Sequence, residues 1–150
     1  MSKSVFNIRL MQAEDFDAVV GIDAKIVNSV RSGYFEMKFD VLFESRDYLP
    51  ASLVAEREDG TVVGFVMGTL YVGEFGIFEE QATLDTLGVA PEYQNQGVGM
   101  RLMDEFMDHL KSLGVKKVST LVSSEDANLT RFFTSNRFEP SRTIHLERKI

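Results

Sequence analysis

Phe6, Ile8 and Leu10 alternate with polar partners across Val5–Leu10, the period of a half-buried strand. From Glu14 to Val27 the spacing changes. Phe16, Val19, Val20 and Ile22 recur at helical intervals, and acids fill the first turn. Ser32–Glu44 is predicted as a second helix, carrying Tyr34, Phe35, Phe39, Leu42 and Phe43. Ser52–Glu58 and Thr61–Tyr71 read as strands joined by Asp59-Gly60, a strong hairpin signal. Val72–Gln81 is predicted as a loop with Gly73, Gly76 and the acids Glu74, Glu79 and Glu80, and Thr83–Val89 as a strand. Gly97–Leu113 is the clearest helix. Val98, Leu102, Phe106, Leu110 and Leu113 recur every three or four residues, and Gly114 ends the run. Val115–Val122 is a further strand. Ser123 or Ser124 is then placed to cap a helix reaching Asn136, with Asp126 in its first turn. In Thr143–Lys149, polar Thr143, His145, Glu147 and Lys149 alternate with Ile144 and Leu146, as in a one-sided edge strand.

The order β-α-α-β-β-β-α-β-α-β predicts a mixed α/β fold, a central twisted sheet flanked by helices, with a hairpin followed by a βαβ crossover. The 150 residues suit one domain, 1–150, with a single sizeable core. A net charge of −7 disfavours nucleic acid, which needs a basic face, and is compatible with a cationic or amine substrate. The chain has no cysteine, so neither a disulfide nor a cysteine acyl-enzyme is available. Its N-terminus has no apolar run of signal-peptide length, and no stretch approaches the ~20 apolar residues of a membrane span. A soluble, cytoplasmic protein without a membrane partner is expected.

The segment Leu87 to Met100 carries the chemistry: Leu-Gly-Val-Ala-Pro-Glu-Tyr-Gln-Asn-Gln-Gly-Val-Gly-Met. An apolar strand ends at Pro91, a polar turn follows, and Gly97-Val98-Gly99 opens an amphipathic helix. Glycines at a strand-to-helix turn let backbone N–H groups point outward. Together with the positive end of the helix dipole they form a site for a phosphate or pyrophosphate. No Gly-Lys-Ser or Gly-Lys-Thr follows, so this is not a Walker A loop. Nor is it a dinucleotide fingerprint. Leu102 stands where a third small residue belongs, and 115–122 contains no acid to hold a ribose. The longer pattern Gln94-x-x-Gly97-x-Gly99, set behind Val89-x-Pro91, resembles the acyl-CoA-binding motif of the GNAT superfamily of N-acetyltransferases. There the turn grips the pyrophosphate of coenzyme A. The resemblance covers nearly the whole chain, and its predicted element order is the one expected of the GNAT fold.

The resemblance implies a role for each matching position. Leu87, Gly88 and Val89 would pair like a strand with the pantetheine arm. Gln94 would open the turn, and the backbone of Asn95, Gln96, Gly97, Val98, Gly99 and Met100 would hold the pyrophosphate. The family's Asn at the start of the following helix falls on Asp126, or on Asn128 if that helix begins later. Its Tyr falls on Phe133, which has no proton to donate. The departing thiolate would then be protonated by water. Phe132 and Phe133 read as core residues. Some members place a Glu where Leu121 stands here, so the base is sought elsewhere.

Asp85 is the first candidate for the base. It lies two residues before Leu87 and is expected on the strand face of Leu87 and Val89. Glu80 and Glu79 follow. A backbone N–H near Leu87 or Val89 is a candidate oxyanion donor. Arg31 and Tyr34 are candidate substrate contacts. His109 reads as a solvated surface residue and His145 as part of a polar strand face. Neither belongs to a cluster with ligand spacing, so no metal is expected. The family's usual last strand has no clear counterpart, which leaves an edge that is open or completed by a second subunit in a homodimer.

These expectations converge on an N-acetyltransferase that moves an acetyl group from acetyl-CoA to a primary amine, in a small molecule or a peptide, by direct transfer in a ternary complex. The alternative is a non-catalytic acyl-CoA-binding or sensing protein of the same fold, which Phe133 and Leu121 keep open.

Overall fold

The computed structural model describes residues 5–44, 50–71 and 80–150. They fall into two units, 1–120 and 121–150. The first contains β1 (Phe6–Leu10), α1 (Phe16–Val27), α2 (Ser32–Glu44), β2 (Leu53–Arg57), β3 (Val62–Tyr71), β4 (Gln81–Val89), α3 (Val98–Ser112) and β5 (Lys117–Ser119). The strands form one sheet in the order β1-β2-β3-β4-β5. The first four pair antiparallel with their neighbours, and β5 runs parallel to β4. A helical crossover of α3's length is what a parallel β4–β5 pair requires.

Local chemistry sets most of these bounds. At the β2–β3 turn, the Arg57 N–H donates to the Thr61 carbonyl at 2.8 Å. The α1 run begins with a short 3-10 turn, Ala13–Asp15, rather than with helix from Glu14. There Asp15 accepts two bonds from the Arg9 guanidinium at 2.9 Å and one from the Gln12 N–H at 2.7 Å. The α2 bounds are those predicted, and its aromatics Phe35 and Phe39 are buried.

The two faces of the sheet are covered differently. Val19 and Ile22 of α1 and Phe35, Phe39 and Leu42 of α2 pack with Val54, Phe65 and Met67. On the opposite face Val98, Leu102, Phe106 and Leu110 of α3 are buried, as their spacing predicts. This helix lies so close that an added Cβ at Gly64 would meet Val98 and Leu102.

β5 is shorter than the predicted Val115–Val122. Most of the predicted 72–81 loop, with Gly73, Gly76, Glu74 and Glu79, lies outside the described residues. In the second unit, α4 spans Ala127–Ser135. Its cap is Asp126, not Ser123 or Ser124: the carboxylate accepts the Leu129 N–H at 3.0 Å. The predicted strand at 143–149 does not form. Ile144 and Leu146 are 79% and 82% exposed. Alternation gives a segment two faces, but a ladder makes it a strand, and this unit holds no other strand to pair with. Among the described residues, no helix is long and apolar enough to cross a membrane.

Candidate active site

The site is built along β4. Met67 pairs with Thr86 and Gly68 with Leu84, which leaves Asp85 without a partner on β3. This is a β-bulge, and it resets the alternation of side chains. Val89 stands opposite Gly64 on the α3 face, so Leu87 shares that face. Asp85 and Thr86 instead both turn to α2. The Lys38 ammonium donates to Asp85 at 3.0 Å, and the Tyr34 hydroxyl lies 3.1 Å from the Thr86 hydroxyl. The expectation that Asp85 shares a face with Leu87 and Val89 is therefore corrected. Without the bulge it would hold. Because Asp85 is itself the extra residue, its side chain falls on the other face of the sheet, beside that of Thr86.

The second edge of β4 is only partly used. β5 pairs with Gln81, Ala82 and Thr83 and then stops. The Thr120 hydroxyl takes the Leu84 carbonyl at 2.9 Å in place of a ladder bond. From Asp85 to Val89, no strand among the described residues pairs with this edge.

Beyond β4, a 3-10 turn at Pro91–Tyr93 leads to the glycine segment. The Gln94 side-chain amide donates to the Val89 carbonyl at 3.0 Å and closes the turn. Asn95 and Gly97 both have positive φ, 63° and 83°. This left-handed pair reverses the chain into α3, and Gly97 is the N-cap. No side chain caps the helix, and no acid occupies its first turn. The first N–H groups of a helix have no intrahelical acceptor, so they point outward with the positive end of the dipole. Val98 is buried at 2% exposure, while Gln94, Asn95, Gln96, Gly97 and Met100 are exposed. The segment therefore faces solvent and is anchored by Val98.

Asp85 is held on several sides. Thr69 donates to one carboxylate oxygen at 2.7 Å and Thr83 to the other at 2.8 Å, beside the Lys38 ion pair. Lys38, Thr69 and Thr83 were not evident as site residues in the sequence. One signal was available: Tyr34 and Lys38 are four residues apart, so they lie on one face of α2. Arg31 stacks 5.3 Å over the Tyr34 ring and pairs with the buried Asp23. Glu80 stands just before β4, and its carboxylate lies against Gly114 beyond the end of α3. It is thus at the opposite end of β4 from the glycine turn. Glu79 is outside the described residues.

In the second unit, Asp126 is engaged as the α4 cap and Asn128 is exposed. Phe133 is buried, its ring 5.6 Å from Phe132 and 5.1 Å from Phe138. His109 is half-buried with its ring nitrogen against the Pro50 carbonyl, which corrects its reading as solvated. Among the described residues, no group of three or more His, Asp or Glu side chains could hold a metal ion.

Comparison with known proteins bears on the family and the fold. The model of the acetyltransferase (GNAT) family matches residues 24–137. A mycothiol acetyltransferase from Propionibacterium freudenreichii subsp. shermanii is 32% identical over 81 residues, 54% of this chain and 25% of the relative. The chain thus spans a quarter of that relative's length. Two solved structures share the fold. The aminoglycoside N-acetyltransferase AAC(6')-Iy, in complex with the bisubstrate analog CoA-S-monomethyl-acetylneamine, has a TM-score of 0.78 at 18% identity, covering 98% of this chain and 99% of that one. The ribosomal-protein-S18-alanine N-acetyltransferase from Escherichia coli has a TM-score of 0.74 at 20% identity, covering 91% and 79%. The chain belongs to the GNAT family of acetyltransferases.

Proposed function

We propose that this protein transfers an acetyl group from acetyl-CoA to a primary amine, directly, in a ternary complex. The observation that carries this reading is the uncapped, solvent-facing start of α3 behind the unpaired stretch Asp85–Val89. Backbone N–H groups from Asn95 to Met100 would take the pyrophosphate, as helix N-termini commonly do. Leu87, Gly88 and Val89 would align the pantetheine arm, and an N–H near Leu87 or Val89 would polarise the thioester carbonyl. For Asp126, Asn128 and Phe133, the family motif alone supports a cofactor role. The two solved relatives support an amine acceptor. One is bound to a neamine-derived analog, and the other is named for an alanine of a ribosomal protein.

The acceptor must lose a proton before it attacks, since an alkylamine with a pKa of about 10 is mostly protonated at neutral pH. Asp85, on the stretch of β4 whose outer edge is unpaired, would receive it. Glu80 lies ~16 Å away along the strand at ~3.3 Å per residue. Asn keeps the size of Asp85 and an acceptor for one of its threonine partners, but it cannot take up the proton. Asp85→Asn should therefore lower turnover about a hundredfold, within the usual range for general-base catalysis, with acetyl-CoA affinity little changed. Full activity would remove Asp85 from this role. The direct test of the function is calorimetric titration with acetyl-CoA, followed by a panel of amines while free thiol is monitored. Thiol release on one amine class is expected. Binding without release on any amine would count against the transfer reaction.

A further inference from the structure

Lys38 stands apart from the other described lysines. Its side chain is 22% exposed, whereas that of Lys25 is 58% exposed and Lys111, Lys116, Lys117 and Lys149 all lie at the surface. It crosses from α2 to β4 and rests its ammonium 3.0 Å from Asp85. Thr69 and Thr83 fix both oxygens of that carboxylate. Any outside amine that uses Asp85 as its proton acceptor must first displace this one.

We propose that Lys38 is itself acetylated: with acetyl-CoA bound, its amine takes the acetyl group ahead of any outside acceptor. The proposal rests on the assignment of β4 and the α3 turn as the acetyl-CoA site. Under that assignment the thioester lies at the unpaired edge of β4 near Leu87, two residues from Asp85 and at most ~7 Å from it along the backbone, since the bulge shortens the extended rise. A four-carbon lysine stem is flexible enough to span that interval. The Lys38 ammonium gives one proton to Asp85, and the nitrogen lone pair attacks the thioester carbonyl carbon. The new C–N bond forms, and the C–S bond breaks as the tetrahedral intermediate collapses. The nitrogen releases a second proton, and the CoA thiolate takes one up. The products are acetyl-Lys38 and free CoA thiol, with one net proton released.

The product amide is neutral and can no longer pair with Asp85. The carboxylate, still held by Thr69 and Thr83, is then open to an external ammonium. Self-acetylation thus converts an occupied site into a vacant one, so the modified protein should be the faster transferase.

The test uses the whole protein, purified and checked to be unacetylated at Lys38. It is incubated with acetyl-CoA, and each lysine is followed by peptide mass spectrometry. Calorimetry on the same sample measures acetyl-CoA binding. Lys38 should be modified at least tenfold faster than the more exposed Lys25 and Lys116, at a rate independent of protein concentration. Asp85→Asn should abolish that lead. If this variant does not fold, the order of modification in the native protein still decides. Lys38 lagging behind the exposed lysines would mean plain chemical acetylation and would overturn the proposal, as would a rate that rises with protein concentration. Acetyl-CoA binding without Lys38 modification would overturn this proposal alone. Failure of acetyl-CoA to bind would overturn the cofactor assignment beneath it.

Discussion

Gly97 separates the geometry of the turn from its chemistry. Its φ of 83° and ψ of 5° lie in the left-handed region, and an added Cβ would meet nothing within 4 Å. A substitution there is therefore penalised by the backbone and not by a clash. For an ordinary L-residue the cost is about 1–2 kcal/mol, and Asn visits this region more readily. Gly97→Ala should lower the free energy of unfolding by that amount. For a chain of this size the melting temperature would fall by ~2–8 °C. Gly97→Asn places a Cβ in the same empty space and should lose less. Urea unfolding followed by circular dichroism reads both variants against the wild type. Each should also weaken acetyl-CoA binding in calorimetry, because a side chain would stand where a phosphate approaches the backbone donors. An Ala variant as stable as wild type, or an Asn variant as unstable as Ala, would refute the conformational account. Unchanged acetyl-CoA affinity in both would refute the use of this space by an anion.

Asp15 gives a pH prediction. Burial opposes its charge, but the Arg9 guanidinium and the Gln12 N–H outweigh burial and hold the carboxyl below its usual range. Its contribution is complete above the unfolded-state value of about 4 and is lost as pH falls through the lower folded value. The urea midpoint should drop over that acid window in the wild type, and Asp15→Asn should flatten the drop. An equal drop in the variant would contradict the assignment. Leu102, fully buried on the inner face of α3, should cost about 2–5 kcal/mol when cut to Ala, and a loss under ~1 kcal/mol in urea would contradict its place in the core.

The features legible in the sequence were those with a local cause. The stripe Val98, Leu102, Phe106 and Leu110 predicts both a helix and its buried face, and Asp59-Gly60 marks the hairpin. Gln94-x-x-Gly97-x-Gly99 marks the turn, and the structure adds the left-handed φ of Asn95 and the closing bond of Gln94. The bulge was hidden because Leu84-Asp85-Thr86 contains no glycine or proline. An extra residue there becomes visible only against the register of β3. It moves Asp85 across the sheet and into the reach of Lys38, which is why the sequence did not bring those two together. The segment at 143–149 shows the converse limit. Its alternation is that of a strand, but a ladder partner is a property of the fold. His109 likewise lies outside the apolar stripe of its helix, and its contact with the Pro50 carbonyl, 59 residues away in sequence, is not legible from that stripe.

The proposed function requires the α3 turn to hold the pyrophosphate of acetyl-CoA. Gly99 is the second residue of α3. A Glu there is favourable to the helix dipole, so Gly99→Glu should fold normally while placing a carboxylate where the pyrophosphate would sit. Calorimetric titration of the two proteins with acetyl-CoA is the most direct measurement. Saturable binding by the wild type and none by a folded Gly99→Glu is the predicted result. Equal affinity in both, or no binding by the wild type, would contradict it.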